Sequence, residues 1–205
     1  MDFEPPLFWI HLNVDYPFHL KGILYFPKLR HEASSSEGQI KLYNNQVFVA
    51  DNIKEVIPEY LMLLKGCIDC PDIPLNVSRS FLQNDGFVHK VSAHITKKVA
   101  DKLTGMFRTE RETYEKYWDD INPFIKFGCL KDDSFYEKMK DAIIFKTING
   151  KYVTLADYLE EAKATHENKV YYVSNPQTQA QYISMFQEAG IDAIEMPYAL
   201  DTHFI

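Results

Sequence analysis

Over the first third of the chain the apolar positions fall in short runs rich in aromatic and β-branched residues. Phe8 to Val14 and Phe18 to Phe26 read as strands, with Asp15-Tyr16-Pro17 carrying a turn signal between them. Ile40-Lys41-Leu42-Tyr43 and Val47-Phe48-Val49-Ala50 flank Asn44-Asn45-Gln46, which outlines a tight hairpin. Residues 34–38, Ser-Ser-Ser-Glu-Gly, read as a flexible loop. Pro58 stands where a helix can begin, and Glu59 to Lys65 continue it to a stop at Gly66.

From residue 87 the period changes. Phe87, Val91, Ile95, Val99, Leu103 and Phe107 recur at every fourth position, which predicts a long helix. Such a stripe drifts by ~40° per step, so this helix should press on more than one neighbour. Arg111 to Ile121 and Phe135 to Phe145 predict two further helices, parted by Asn122-Pro123 and Phe127-Gly128. After Asn149-Gly150, Thr154 precedes a helix over Leu155 to Ala164, with Asp157 near its positive end. Lys169 to Val173 then reads as a strand, 178–189 as a helix stopped by Gly190, and Ile191 to Met196 as a strand. This β-α-β unit implies a parallel pair with a right-handed crossover. The sum is an α/β chain of two layered αβα-type subdomains joined by a small helical bundle. The larger subdomain spans 1–110, the helical connector 111–146 and the smaller subdomain 147–205.

Composition narrows the function classes. With 46% apolar and 25% charged residues among 205, the chain forms a core and is no disordered or low-complexity segment. Its 14 Phe, 13 Tyr and 2 Trp exceed what a core needs, leaving rings for a sticky surface. A net charge of −7 argues against binding a nucleic-acid backbone. No apolar run approaches the ~18 residues of a membrane helix. Met1-Asp2-Phe3-Glu4-Pro5-Pro6 lacks a basic start followed by an apolar run, so no signal peptide is expected. Three cysteines, an odd and sparse count, fit free thiols in a reducing compartment. A cytoplasmic protein is the expectation, and the sequon Asn76-Val77-Ser78 reads as accidental. Residues 87–111 carry six Lys/Arg against two Asp/Glu, whereas 112–141 carry five against eight, which reads as two solvated faces of opposite sign.

The chemistry-bearing motifs are few. Neither G-x-x-x-x-G-K-[ST], G-x-G-x-x-G nor G-x-S-x-G occurs, so no phosphate cradle or nucleophile elbow is announced. Cys67-Ile68-Asp69-Cys70 has the spacing of a zinc or thiol-exchange motif. Cys129 and scattered His do not complete a closed site, and the motif runs into Pro71 instead of opening a helix, so no metal is expected. A free-standing α/β enzyme using Cys67 and Cys70 is the alternative reading. The informative stretch is Asp72 to Gln83, a loop passing into a short helix. There Arg79 and Gln83 stand four apart, on one helical face. An Arg at the positive end of a helix is either solvated or aimed at an anion, and Ser80 with Gln83 also fits a capping box.

Leu42-Tyr43, Val47-Phe48-Val49, Ile57-Pro58-Glu59-Tyr60-Leu61, Gly66-Cys67-Ile68-Asp69 and Leu75-Asn76-Val77-Ser78-Arg79 with Leu82-Gln83 resemble the middle domain of the ninety-kilodalton heat-shock chaperones, whose bacterial form is HtpG. Ile23 to Pro27 upstream, and Tyr171-Tyr172-Val173 with Gly190-Ile191 downstream, fall in the matching order, so the resemblance runs from about residue 3 to the end. It implies a segment of a longer stress-response chaperone that folds client proteins, uses ATP and Mg and is dimeric at full length. An ATP-binding domain precedes this segment and a dimerisation domain follows it, and no cofactor is expected on the segment itself. It further implies that Arg79 reaches the γ-phosphate of ATP held by the preceding domain, with Gln83 supporting the same catalytic loop. Ser80 stands where the family usually has an acid, and Leu29 to Gly38 is short and polar where the family often has an amphipathic client loop. Phe3 falls where relatives have an exposed Trp used for clients. Trp9 lies nearby within a predicted strand, where a core ring is the favoured reading, so Phe3 and Trp9 are the client-contact candidates.

Overall fold

The computed structural model describes residues 5–28, 40–73, 86–166 and 168–204. The chain divides into two compact units, residues 1–106 and 107–205.

The first unit is built on a five-stranded sheet. Its strands are β1 (Phe8–Val14), β2 (Leu20–Phe26), β3 (Ile40–Asn44), β4 (Val47–Asp51) and β5 (Lys65–Asp69), in the order β1-β2-β5-β3-β4. All neighbours are antiparallel except β3 and β5, so one parallel pair sits within an otherwise antiparallel sheet. β1 alternates strictly, with Phe8, Ile10, Leu12 and Val14 buried and the residues between them exposed. That period of two is what a sheet with one packed face requires. Trp9 consequently points outward and is 55% exposed, which overturns its reading as a core ring. Its place within an apolar strand favoured burial, but the register of its neighbours decides the side. Asn45 and Gln46 both take positive φ, at 49° and 67°, and close the β3–β4 hairpin at the predicted place.

Gly66 is not a helix stop. The helical turn after Pro58 is a 3-10 turn over Glu59–Leu63, and Lys65 already belongs to a central strand. Gly66 has φ 148°, and a Cβ there would stand 2.0 Å from the Ile23 carbonyl oxygen of β2. Gly22 of β2, which faces Ile68 two positions further along β5, would set a Cβ 2.4 Å from the Cys67 carbonyl oxygen. Both glycines let two strands approach, which is a sheet requirement rather than a cap. Helix α1 (Gly86–Thr109) carries the predicted stripe, and Val88, Val91, Ile95, Val99 and Leu103 are fully buried.

The second unit opens with α2 (Arg111–Lys131), which runs straight through the expected break at Asn122-Pro123 and past Phe127-Gly128. Pro123 lacks the N–H that would reach the Asp119 carbonyl. The Asn122 side-chain amide stands in, donating to the Trp118 carbonyl at 2.9 Å and reaching that of Asp119 at 3.4 Å. Burial of Trp118, Ile121, Phe124 and Ile125 holds the helix together across the site. Next come α3 (Asp133–Met139) and a 3-10 turn over Lys140–Ala142, so the helix expected over Phe135 to Phe145 ends early. Its last residues form β6 (Ile144–Lys146), which pairs antiparallel with β7 (Tyr152–Thr154) through a turn at Gly150. Ile and Phe suit the pleated pairing more than a helix, and tertiary pairing overrides the period.

Thr154 and Asp157 form the capping box at the start of α4 (Leu155–Ala162). Then β8 (Tyr172–Val173), α5 (Ala180–Glu188) and β9 (Ile194–Glu195) make the predicted β-α-β unit, with β8 and β9 parallel. These two strands are shorter than the sequence suggested. The described chain closes with α6 (Asp201–Phe204). The architecture is mixed α/β, in line with the expected class.

Candidate functional site

Arg79, Gln83 and Phe3 lie outside the described residues, as do the loop from Leu29 to Gly38 and the sequon at Asn76. The chain on either side of 74–85 is described, and both flanks are held firmly.

The entry flank starts at Asn44, the last residue of β3, which is 5% exposed. Its side-chain amide donates to the Pro71 carbonyl at 3.0 Å and to the Ile73 carbonyl at 2.5 Å, while its oxygen accepts from the Asn45 side chain at 2.9 Å. The Cys70 N–H donates to the Tyr43 carbonyl at 3.0 Å, which extends the β3–β5 register by one step. Cys70 and Ile73 are buried. Asp72 accepts the His19 backbone N–H at 2.7 Å and faces the His19 Nδ1 at 3.2 Å. That backbone N–H, with the His19 ring after it, holds the Asp72 carboxyl below the usual carboxylate range.

The exit flank is the first turn of α1. Phe87 packs edge-on against Phe18 at 5.8 Å between ring centroids, and His94 meets the same Phe18 ring at 5.7 Å. Among the described residues the buried His94 Nε2 has no hydrogen-bond partner. Burial first, then Lys98 and Lys97, lowers its pKa below the ordinary histidine value. The consecutive residues Phe18 and His19 therefore grip both flanks of 74–85, one with its ring and the other with its N–H and imidazole. Sequence reasoning missed this clamp. Asn44 was legible only as turn chemistry, and nothing local marks Phe18-His19 as the partner of residues 53 and more positions away.

Cys67 and Cys70 do not form a redox pair here. Cys67 lies on β5 and is exposed, whereas Cys70 just beyond it is buried, with its thiol pushed up to about 11 by desolvation. Cys129 is also buried and pushed up to about 12 for the same reason. A thiolate nucleophile needs the opposite shift. Among the described residues no cluster of three or more His, Cys, Asp or Glu side chains is arranged to hold a metal ion. No described helix is long and apolar enough to cross a membrane.

Trp9, on the outward face of β1, is paired in register with Tyr25 of β2, which in turn faces Lys65 of β5. The row is an aromatic strip ending in a cation on the solvent side of the sheet. It is the described part of the predicted client-contact pair.

Comparison with known proteins gives a consistent result. A family model described as Hsp90 protein matches residues 1–204. The chaperone protein HtpG of Porphyromonas gingivalis is 42% identical over 207 residues, covering 98% of this chain and 30% of that protein. HtpG of Bacteroides thetaiotaomicron is 43% identical with the same coverage. The chain thus spans about 30% of the length of these curated relatives. Among solved structures, the middle domain of a Plasmodium falciparum heat shock protein matches with a TM-score of 0.73 and 24% identity. That match covers 98% of this chain and 81% of that one.

Proposed function

The chain belongs to the Hsp90 protein family and has the fold of its middle domain, and from that premise we propose that it is the middle segment of an HtpG-like, cytoplasmic, ATP-dependent chaperone. In this reading it binds unfolded or partly folded clients and lends Arg79, supported by Gln83, to an ATPase site built mainly by the preceding domain, where ATP and Mg are held. A following domain dimerises the whole protein. The subdivision into 1–110, 111–146 and 147–205 belongs to the same reading, as does client contact at Phe3 and Trp9.

One observation carries the catalytic part: the chain leading into and out of 74–85 is clamped by Asn44, His19 and Phe18. A residue that must present a charge to a phosphate on another domain gains from a stem that does not move. Its guanidinium is a planar, permanently charged fork suited to phosphoryl oxygens. By neutralising charge that develops on the transferring phosphoryl group, it acts on the hydrolysing state more than on nucleotide capture.

The test is Arg79→Ala in the full-length protein. ATP turnover is expected to fall by on the order of ten- to a thousand-fold while initial ATP affinity stays within a few-fold. Arg79→Lys is expected to rescue only in part, because a point charge does not reproduce the fork. Unchanged turnover in Arg79→Ala overturns the assignment.

A further inference from the structure

Apolar side chains that remain in water are not scattered evenly over the second unit. Leu130, Tyr136, Leu155, Val170 and Tyr172 are 38–51% exposed, and all five line one groove of about 520 Å³. Leu130 closes α2, Tyr136 lies on α3, Leu155 opens α4, and Tyr172 lies on β8. The floor is apolar, formed in part by the buried Phe145 and Ile194. Exposed rings and aliphatic groups gathered into one trough are unfavourable in water unless something covers them.

Charge narrows the occupant. Asp133, at the start of α3, is the one charged residue lining the groove, and no described residue hydrogen-bonds or ion-pairs with its carboxylate. The charge of the whole chain is also lopsided. Residues 1–106 hold eleven Lys/Arg against twelve Asp/Glu, whereas 107–205 hold eleven against seventeen, a net −6. A second copy of the same acidic unit would meet like charge. A small apolar ligand would leave walls that are so exposed largely wet and would have no use for the carboxylate. An extended polypeptide with apolar side chains and a neighbouring Lys or Arg answers both features.

We infer that this groove of the 107–205 unit is a docking site for extended, apolar polypeptide segments flanked by basic residues, with Asp133 selecting the charge. The inference rests on the chaperone reading and adds a location and a preference to it.

The experiment uses the 205-residue chain and two fluorescein-labelled peptides, followed by anisotropy. Both carry the same Leu-Val-Phe-Leu core, one flanked by lysines and the other by glutamates. The lysine peptide is expected to bind more tightly, by about tenfold. Leu155→Ser and Tyr172→Ser are each expected to weaken it several-fold with an unchanged circular dichroism spectrum, since both side chains are already half in water. Asp133→Lys is expected to reverse the order of the two peptides, a result that a folding defect does not produce. If the lysine peptide binds these variants as tightly as it binds the parent chain, the groove is not the site, while the chaperone reading stands. If neither peptide binds the parent chain, the groove inference falls, while the chaperone reading is judged by Arg79→Ala in the full-length protein. If the chain self-associates and Leu155→Ser abolishes that association, the occupant is a second copy and the inference is overturned.

Discussion

The Lys126 ammonium and the Asp201 carboxylate meet at 2.5 Å with 3% and 1% of their side chains exposed, joining the C-terminal half of α2 to the first residue of α6. The second Asp201 oxygen accepts the Tyr198 N–H at 2.9 Å, and the rings of Phe145, Tyr198 and Phe204 stand within 6 Å of the ammonium. A buried pair is a weak source of net stability, since both ions lose their water, but removing one partner strands the other. Asp201→Ala is therefore expected to cost about 3–5 kcal/mol in urea unfolding. The double variant Lys126→Met with Asp201→Leu should recover most of that loss. A double variant as unstable as the single one would refute the stranded-charge account.

Asn44 holds two carbonyls at once, those of Pro71 and Ile73. In Asn44→Ala the buried Ile73 carbonyl loses its donor, which costs about 1–3 kcal/mol, whereas the carbonyl of the exposed Pro71 can turn to water. In the full-length protein the same change is expected to lower ATP turnover with little effect on ATP affinity, as Arg79→Ala does, because it loosens the stem of the Arg79 segment. Asn44→Asp, which keeps the shape but replaces the donor by an acceptor, should do no better than alanine. Full turnover in Asn44→Ala would separate the clamp from catalysis.

Much of the fold was legible because its signals are local. The apolar run from Phe8 to Val14, the four-residue stripe from Phe87, and Thr154 ahead of a helix with Asp157 near its positive end each specify their element without help from distant residues. Three misreadings turn on a partner that the local pattern does not announce. Gly66 reads as a stop until β2 lies beside it, Pro123 as a break until the Asn122 amide takes over the orphaned carbonyl, and Phe145 as helical until β7 pairs with it. Trp9 was misplaced for a different reason. A large ring in an apolar run suggests burial, yet in a one-faced sheet the parity of its neighbours decides. At the candidate site the string around Arg79 was legible as a motif. The grip of Phe18-His19 on its two flanks was not, since it joins residues with no shared period or spacing.

His94 supplies a pH dependence. Its folded pKa lies below the ordinary value of about 6.5, chiefly because its ring is desolvated. Between the folded and unfolded pKa the unfolded chain binds the extra proton, so stability is full above about 6.5 and declines as the pH falls through that window. Below the folded pKa this decline levels off. His94→Phe, which keeps a ring against Phe18, is expected to flatten the slope of unfolding free energy between pH 7 and 5. An unchanged slope would assign the acid sensitivity to other groups.

Trp9 and Trp118 are the chain's two tryptophans, and they report from opposite environments: Trp9 is 55% exposed and Trp118 only 3%. Acrylamide is therefore expected to quench about half of the native indole emission readily, and unfolding should make the remainder accessible. In Trp118→Phe, where Trp9 alone remains, nearly all the emission should be quenchable in the folded chain. If Trp9 belongs to a client surface, adding an unfolded model protein should shield it from acrylamide. Trp9→Ser should weaken that binding several-fold, with a loss of stability within about 0.5 kcal/mol, as for other surface changes. The same substitution at Phe3 should act in the same direction, whereas deleting Ser34 to Ser36 from the polar loop should leave binding nearly unchanged. Shielding that persists in the loop deletion but vanishes when the Tyr25 side chain beside Trp9 is removed would place the contact on the outward strip of the sheet. Quenching of Trp9 that is indifferent to the client would exclude that strip as the contact.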